Sequence, residues 1–186
     1  WITSRGLGDV YKRQHESRQG AQQSWSAFLK DPAWVAAYKA STKGGKLVRK
    51  IDRVFLTETD YSPALKVESK DPERLFELRT YTTHEGRRDN INKRFRDHTC
   101  ALFTKHGITN LLYCDLMEDQ EAADITLTYL IAHDDENARA ASWEAFRKDP
   151  VWQAARKASQ TDGPILLKKG GVKSILLDPV DYSKMK

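Results

Sequence analysis

Cysteine is almost missing from this sequence: Cys100 and Cys114 are the only two among 186 residues. Neither belongs to a CxxC pair or sits near a histidine at metal-ligand spacing. They therefore read as small apolar fillers, with a disulfide or a redox pair as the alternative. Long apolar runs are absent too, and none approaches the roughly 20 residues of a membrane-spanning helix. No GxSxG, P-loop, dinucleotide fingerprint or pair of catalytic carboxylates occurs, which removes the common routes to acyl transfer, nucleotide chemistry and glycoside hydrolysis. A strong excess of one charge is also lacking. The formal balance is +5, with acidic residues spread among the basic ones. A nucleic-acid binder concentrates its cations on one face, so nucleic acid is not expected as a partner. With 39% hydrophobic and 31% charged residues the chain reads as soluble and globular. An initiating methionine is missing as well, so a cytoplasmic location is the default and export stays open.

What the sequence does contain is one phrase spelled twice. SWSAFLKDPAWVAAYKAS occupies Ser24–Ser41, and SWEAFRKDPVWQAARKAS occupies Ser142–Ser159. Aligned from His15–Thr42 against His133–Gln160, the segments share 14 identities in 28 positions. Further on, Asp60-Tyr61-Ser62 matches Asp181-Tyr182-Ser183. Self-similarity over whole segments points to tandem duplication. The first copy is expected to be cut short. ITLTYLIA, a strand by composition, precedes His133, whereas WITSRGLGDVYKRQ precedes His15 and shares nothing with it. Residues 1–14 are therefore expected to be a non-native tail, and without them the formal charge falls to +3. The expected organisation is a tail at 1–14, a C-terminal half-unit at 15–63, a linker at 64–71 and a complete unit at 72–186.

In the complete unit, Leu75–Thr82 alternates as a strand, with Phe76, Leu78 and Thr80 on one face and Glu77, Arg79 and Tyr81 on the other. A helix follows, with Ile91, Phe95, Thr99, Leu102 and His106 along its apolar stripe and Gly107 as its stop. Ile108–Leu116 and Ile125–Ala132 read as strands. Ala138–Arg147 is a helix that Asp149-Pro150 ends and restarts, because Asp caps a helix and Pro fits its first turn but breaks its interior. Val172–Leu177 closes the unit as a fourth strand. The order β-α-β-β-α-β specifies an α+β, ferredoxin-like unit with both helices on one sheet face. A second unit would cover the other face.

FELRTYT, RFRDHT, LFTKHGITN, the repeated Asp-Pro phrase and DPVDYS together resemble the NIPSNAP family, with the first copy similar to its bacterial members. The resemblance implies a dimeric α/β barrel, two ferredoxin-like units packed sheet to sheet. The partner would be the sister unit in the same chain or in a homodimer. It implies no reaction and no cofactor.

Candidate site residues follow from position. Glu77, Arg79 and Tyr81 are expected on the strand face away from the helices, where with Tyr129 or Thr128 they would line a small-ligand pocket or form a polar network across the sheet interface. His98 is the weak catalytic candidate, placed at the helix–sheet seam one turn after Arg94. Trp143 and Trp152 read as core anchors before they read as a ligand platform. The basic run GRRDNINKRFR reads as a solvated helix face. No histidine pair has i, i+4 spacing, so no metal is expected. The leading reading is a non-catalytic binding or interaction module for a protein partner or small ligand. The alternative is a small-molecule enzyme of the dimeric α/β-barrel type, akin to cofactor-independent monooxygenases or isomerases.

Overall fold

The computed structural model describes residues 2–4, 8–10 and 14–186, the first two stretches by their backbone alone. The expectation of a foreign tail at 1–14 falls largely outside the described side chains. Two compact units are present: 14–53 belongs to one, and Val54–Lys186 with the N-terminal strands belongs to the other.

Residues 14–53 form a helix pair. Ser17 caps α1 (Arg18–Lys30), its hydroxyl accepting from the Gly20 N–H at 3.0 Å. Asp31 ends α1 and caps α2 (Pro32–Ser41) through the Trp34 N–H at 3.0 Å. Pro at the first helical position adds no orphan donor and is pre-set in φ.

The larger unit is built on one antiparallel sheet. Its strands are β1 (Ile2–Ser4), β2 (Gly8–Val10), β3 (Leu56–Glu58), β4 (Leu75–Thr82), β5 (Thr109–Leu116), β6 (Thr126–His133) and β7 (Val172–Pro179), in the order β2-β1-β7-β4-β6-β5-β3. The inner four, β7-β4-β6-β5, have the ferredoxin-like arrangement, with β4 registered against β6 from Leu75–His133 to Thr82–Thr126. Between β4 and β5 runs a continuous helix: α3 (Arg88–Arg94), a π-helical turn (Phe95–Thr99) and α4 (Cys100–Lys105). Gly107 ends it at φ +75°, a left-handed position that glycine occupies without a Cβ clash. α5 (Glu136–Lys148) and α6 (Pro150–Ala158) follow β6, joined at Asp149.

The Asp-Pro joints have the same shape. Asp31 sits at φ −61°, ψ 125° and Asp149 at φ −62°, ψ 123°. Phe28 lies 4.5 Å from Trp34, and Phe146 lies 4.4 Å from Trp152. The phrase encodes a bent helix pair clamped by its own aromatic side chains.

Each sheet face carries a core. Between helices and sheet, Ile91, Phe95, Phe103, Tyr113, Tyr129, Trp143 and Phe146 pack together. The opposite face is apolar: Phe76, Leu112, Cys114, Leu130, Ala132 and Leu177 are buried there, with Leu65 and Met185 packed against them. The segment around 68–70 and the chain's last residues are tied by backbone bonds from Lys70 N to Lys186 O and from Lys186 N to Glu68 O, both 3.1 Å. The Arg74 guanidinium donates to the Glu68 and Lys186 carbonyls and binds them to the sheet end.

Candidate functional site

Glu77 is the centre of the polar chemistry. It stands in mid-β4, fully buried, and its carboxylate accepts hydrogen bonds from five side chains. Arg79 Nη1 donates at 2.5 Å, Arg139 Nε at 2.7 Å, Ser174 Oγ at 2.6 Å, Trp143 Nε1 at 3.1 Å, and His133 Nε2 lies at 3.2 Å. Burial alone would raise its pKa. The bonds from His133, Arg139 and Ser174 and the charge of Arg79 overturn that, holding it far below the usual carboxylate range.

Three of those donors come from the helix side: Arg139 and Trp143 from α5, and His133 at the end of β6. Glu77, Arg79 and Tyr81 therefore face the helices, which corrects the expectation that they point away from them. The pattern misled because both faces of the sheet are covered. Phe76 and Leu78 belong to the wholly apolar face, while the row with the charges is the one α5 can neutralise.

Arg79 lies 4.5 Å over the Trp143 ring and donates to the Tyr81 hydroxyl at 3.3 Å. Burial alone would lower its pKa, but Tyr129, Tyr81 and Glu77 raise it above its ordinary value. Tyr81 meets Tyr129 edge to face at 5.2 Å, and Tyr129 stacks on Tyr113 at 5.4 Å. Tyr129 is fully buried, and burial followed by the Tyr81 hydroxyl pushes its pKa well up. No hydrogen bond of acceptable geometry reaches its hydroxyl.

His98 is exposed on the solvent side of the π turn, away from these groups, which corrects its placement at the helix–sheet seam. The extra residue of a π turn shifts the helical phase. Arg94, one turn earlier, points inward instead. It is 6% exposed, its guanidinium lies 5.1 Å over Trp152, and Nη1 donates to Ser159 Oγ at 3.1 Å. Trp143 and Trp152 are thus both core residues and arginine platforms. Arg94, Arg139, His133 and Ser174 were not read as site residues. Only Arg94 carried a signal, since it stands three residues after Ile91 on the apolar stripe.

A cleft of about 530 Å³ lies elsewhere, between β3, β5 and α3, with Glu58, Asp60, Asp89, Lys93, Arg96 and Asp115 on its walls. It touches none of Glu77, Arg79, Tyr81 or Tyr129. Among the described residues, no three His, Cys, Asp or Glu side chains are grouped to hold a metal ion. Among them, too, no helix is long and apolar enough to cross a membrane.

With this arrangement in view, a family model described as NIPSNAP matches residues 76–184, more than half of the chain. The chain belongs to the NIPSNAP family. A NIPSNAP family protein of unknown function from Agrobacterium tumefaciens strain C58 matches at a TM-score of 0.51 and 17% identity, over 64% of this chain and 99% of its own. Another NIPSNAP family protein from that organism matches at 0.51 and 17%, over 61% and 92%. An uncharacterised NIPSNAP-like domain protein from Burkholderia xenovorans matches at 0.50 and 17%, over 60% and 89%. Identity this low carries the fold alone, the dimeric α/β-barrel type. No curated protein matches the sequence at a significant level.

Proposed function

We propose that this NIPSNAP unit is a non-catalytic binding module whose first partner is a sister unit, paired through the outer edge of β5 and the apolar sheet face. The observation that carries the reading is the seat of Asp60-Tyr61-Ser62, which follows β3. β3 pairs antiparallel with β5, Leu56 opposite Leu116. Beyond it, the Tyr61 ring lies 5.5 Å from Tyr113 and its hydroxyl donates to Asn92 Oδ1 at 2.9 Å. Ser62 Oγ accepts the Tyr113 N–H at 3.0 Å, and Arg96 clasps Asp60 with two bonds of 2.6 and 2.7 Å. The same tripeptide recurs after β7 as Asp181-Tyr182-Ser183, where Tyr182 is 65% exposed. We read 15–63 as the C-terminal half of a first NIPSNAP-like domain, 64–71 as a linker and 72–186 as the complete domain. On that reading each unit ends in a strand and a latch, and the latch at 60–62 belongs to the first unit while seated on the second. The reciprocal latch would seat on the β5 equivalent of a sister.

The enzyme alternative needs a free proton-transfer group in the seam. Glu77 has its lone pairs taken by donors, and His98 faces solvent. Geometry therefore favours the binding module.

The test uses the full chain carrying Tyr61→Ala, which loosens the seated latch. A labelled peptide spanning residues 54–63 should bind it at least about tenfold more tightly than the same peptide with Tyr61→Ala, a difference of about 1.4 kcal/mol. A peptide spanning residues 174–183 should compete. No binding, or binding indifferent to the tyrosine, refutes the latch.

A further inference from the structure

The buried charges of the helix–sheet seam do not balance. Asp149 is paired with Lys105 at 2.6 Å and His106 at 2.8 Å. Glu77 is shared by Arg79 and Arg139. Arg94 is as buried as either carboxylate's surroundings, yet no carboxylate lies within ion-pair distance of it among the described residues. Its only hydrogen-bond acceptor is the Ser159 hydroxyl, and its Nε has none. Arg156 adds a second positive charge nearby, and burial lowers the Arg94 pKa to about 10, so it remains a cation at neutral pH. A buried, unpaired cation is strongly unfavourable unless something of opposite charge meets it. On the other side, the Tyr81 and Tyr129 hydroxyls are close enough to bear on the ionisation of both Arg94 and Arg79. Tyr129 Oη is itself a buried donor with no acceptor.

We propose that Arg94, with the hydroxyls of Tyr81 and Tyr129, holds a small oxyanion at the helix–sheet seam, a carboxylate in preference to a phosphate. An acceptor-only group would take up the Arg94 Nε–H, the Tyr129 O–H and the uncompensated charge together. A planar carboxylate matches the edge of a guanidinium fork, whereas a phosphate presents more oxygens than these donors can serve. The aromatic walls, Tyr81, Phe95 and Trp152, favour an apolar remainder on the ligand. The group must be small, because Arg94, Tyr81 and Tyr129 are all buried in the packed seam. Ser159 and Arg156 mark the side from which it enters. This inference stands apart from the sister-unit reading, since none of its residues belongs to the β5 edge or the apolar sheet face.

The experiment compares thermal unfolding of the full chain in benzoate, acetate and inorganic phosphate against chloride at equal ionic strength. A ligand that binds only the native state raises the midpoint by mass action. The expected result is a saturable rise of several degrees, largest in benzoate. In Arg94→Met the half-saturating concentration should rise at least tenfold, whereas Arg96→Met, on the exposed helix face, should respond like the parent. Tyr129→Phe removes one hydroxyl without changing the ring, and should weaken the response severalfold even if Arg94→Met does not fold. In chloride alone, Arg94→Met should unfold no earlier than the parent, because it removes an unpaired buried charge. Phosphate outperforming both carboxylates overturns the carboxylate assignment. No saturable rise over chloride in any anion overturns the site. A rise that survives in the folded variants, or an Arg94→Met that unfolds far earlier than the parent in chloride, also overturns it.

Discussion

Replacing Glu77 by alanine removes the one anion that Arg79 and Arg139 share and the acceptor used by Trp143, His133 and Ser174. Breaking a buried ion pair from one side costs about 3–5 kcal/mol, because the remaining charge stays buried. Arg79 meets that condition, with 13% of its side chain exposed; Arg139, at 26%, can turn towards water. The orphaned indole N–H and imidazole each add a penalty of about 1–3 kcal/mol, partly recovered where water enters the space left behind. A loss of at least about 4 kcal/mol is expected, a large fraction of the roughly 5–15 kcal/mol that holds a domain folded. Glu77→Gln keeps the shape and one acceptor oxygen but turns two donors towards the arginines, so it should lose about half as much. Urea unfolding followed by tryptophan fluorescence measures both. Acid supplies an independent arm. The folded pKa of Glu77 lies below its ordinary 4.5. Its contribution is therefore complete above that value and disappears as pH falls below it, by at most about 1.4 kcal/mol per pH unit. The parent should show this slope in addition to the slope of Glu77→Gln. An alanine variant within about 1 kcal/mol of the parent, or parallel acid slopes, would refute the reasoning.

Two further outcomes follow from the same structure. Tyr61, Tyr113 and Tyr129 all have raised pKa values, with burial the leading cause. An absorbance titration should leave these three protonated through the ordinary tyrosine range and release them together when alkali unfolds the chain. Their raised folded pKa values stabilise the fold below the unfolded tyrosine value, and that stabilisation is lost as pH rises through the folded ones. Stepwise ionisation without unfolding would contradict it. The Asp-Pro joints differ in surroundings despite equal geometry: Asp149 is buried and bonded to Lys105 and His106 as well as to the Val151 and Trp152 N–H groups. Asp31 is exposed and accepts from the Trp34 N–H. Asp149→Ala should therefore lower the thermal midpoint severalfold more than Asp31→Ala, and equal shifts would contradict the assignment.

Much of the fold was legible because local signals and tertiary packing agree. Alternation over Leu75–Thr82 located β4 residue for residue, Gly107 stops the first helix, and Asp149-Pro150 bends the second. The site was harder to read. Alternation separates two rows of side chains but does not say which row faces the helices. Phe76 and Leu78 look like the inward row until Arg139 and Trp143 are brought across from α5, 62 and 66 residues away in sequence. Periodicity also assumes an unbroken α-helix, and the π turn at Phe95–Thr99 separates His98 from the seam. The match of Asp60-Tyr61-Ser62 to Asp181-Tyr182-Ser183 was visible, but the pairing of β3 with β5 is a long-range contact that composition does not encode.

The doubled phrase shows how the polar site is layered on a structural part. In residues 14–53 the clamp forms from its own residues: Trp25 meets Phe28 at 5.7 Å and Phe28 meets Trp34 at 4.5 Å. The second occurrence repeats those contacts at 5.8 and 4.4 Å. Shape is therefore local, set by the Asp cap, the Pro and the three rings. Its chemistry is not local. Trp143 gains Glu77 and Arg79 from β4, and Trp152 gains Arg94 from α3, because those elements pack beneath it. The phrase supplies the platforms, and the strand and first helix supply the charges that make them a site. Substituting Trp152 by leucine should then preserve the bent helix pair while loosening Arg94. A normal far-ultraviolet spectrum with a weakened benzoate response would separate the two roles, and an unchanged response would tie Arg94 to Ser159 alone.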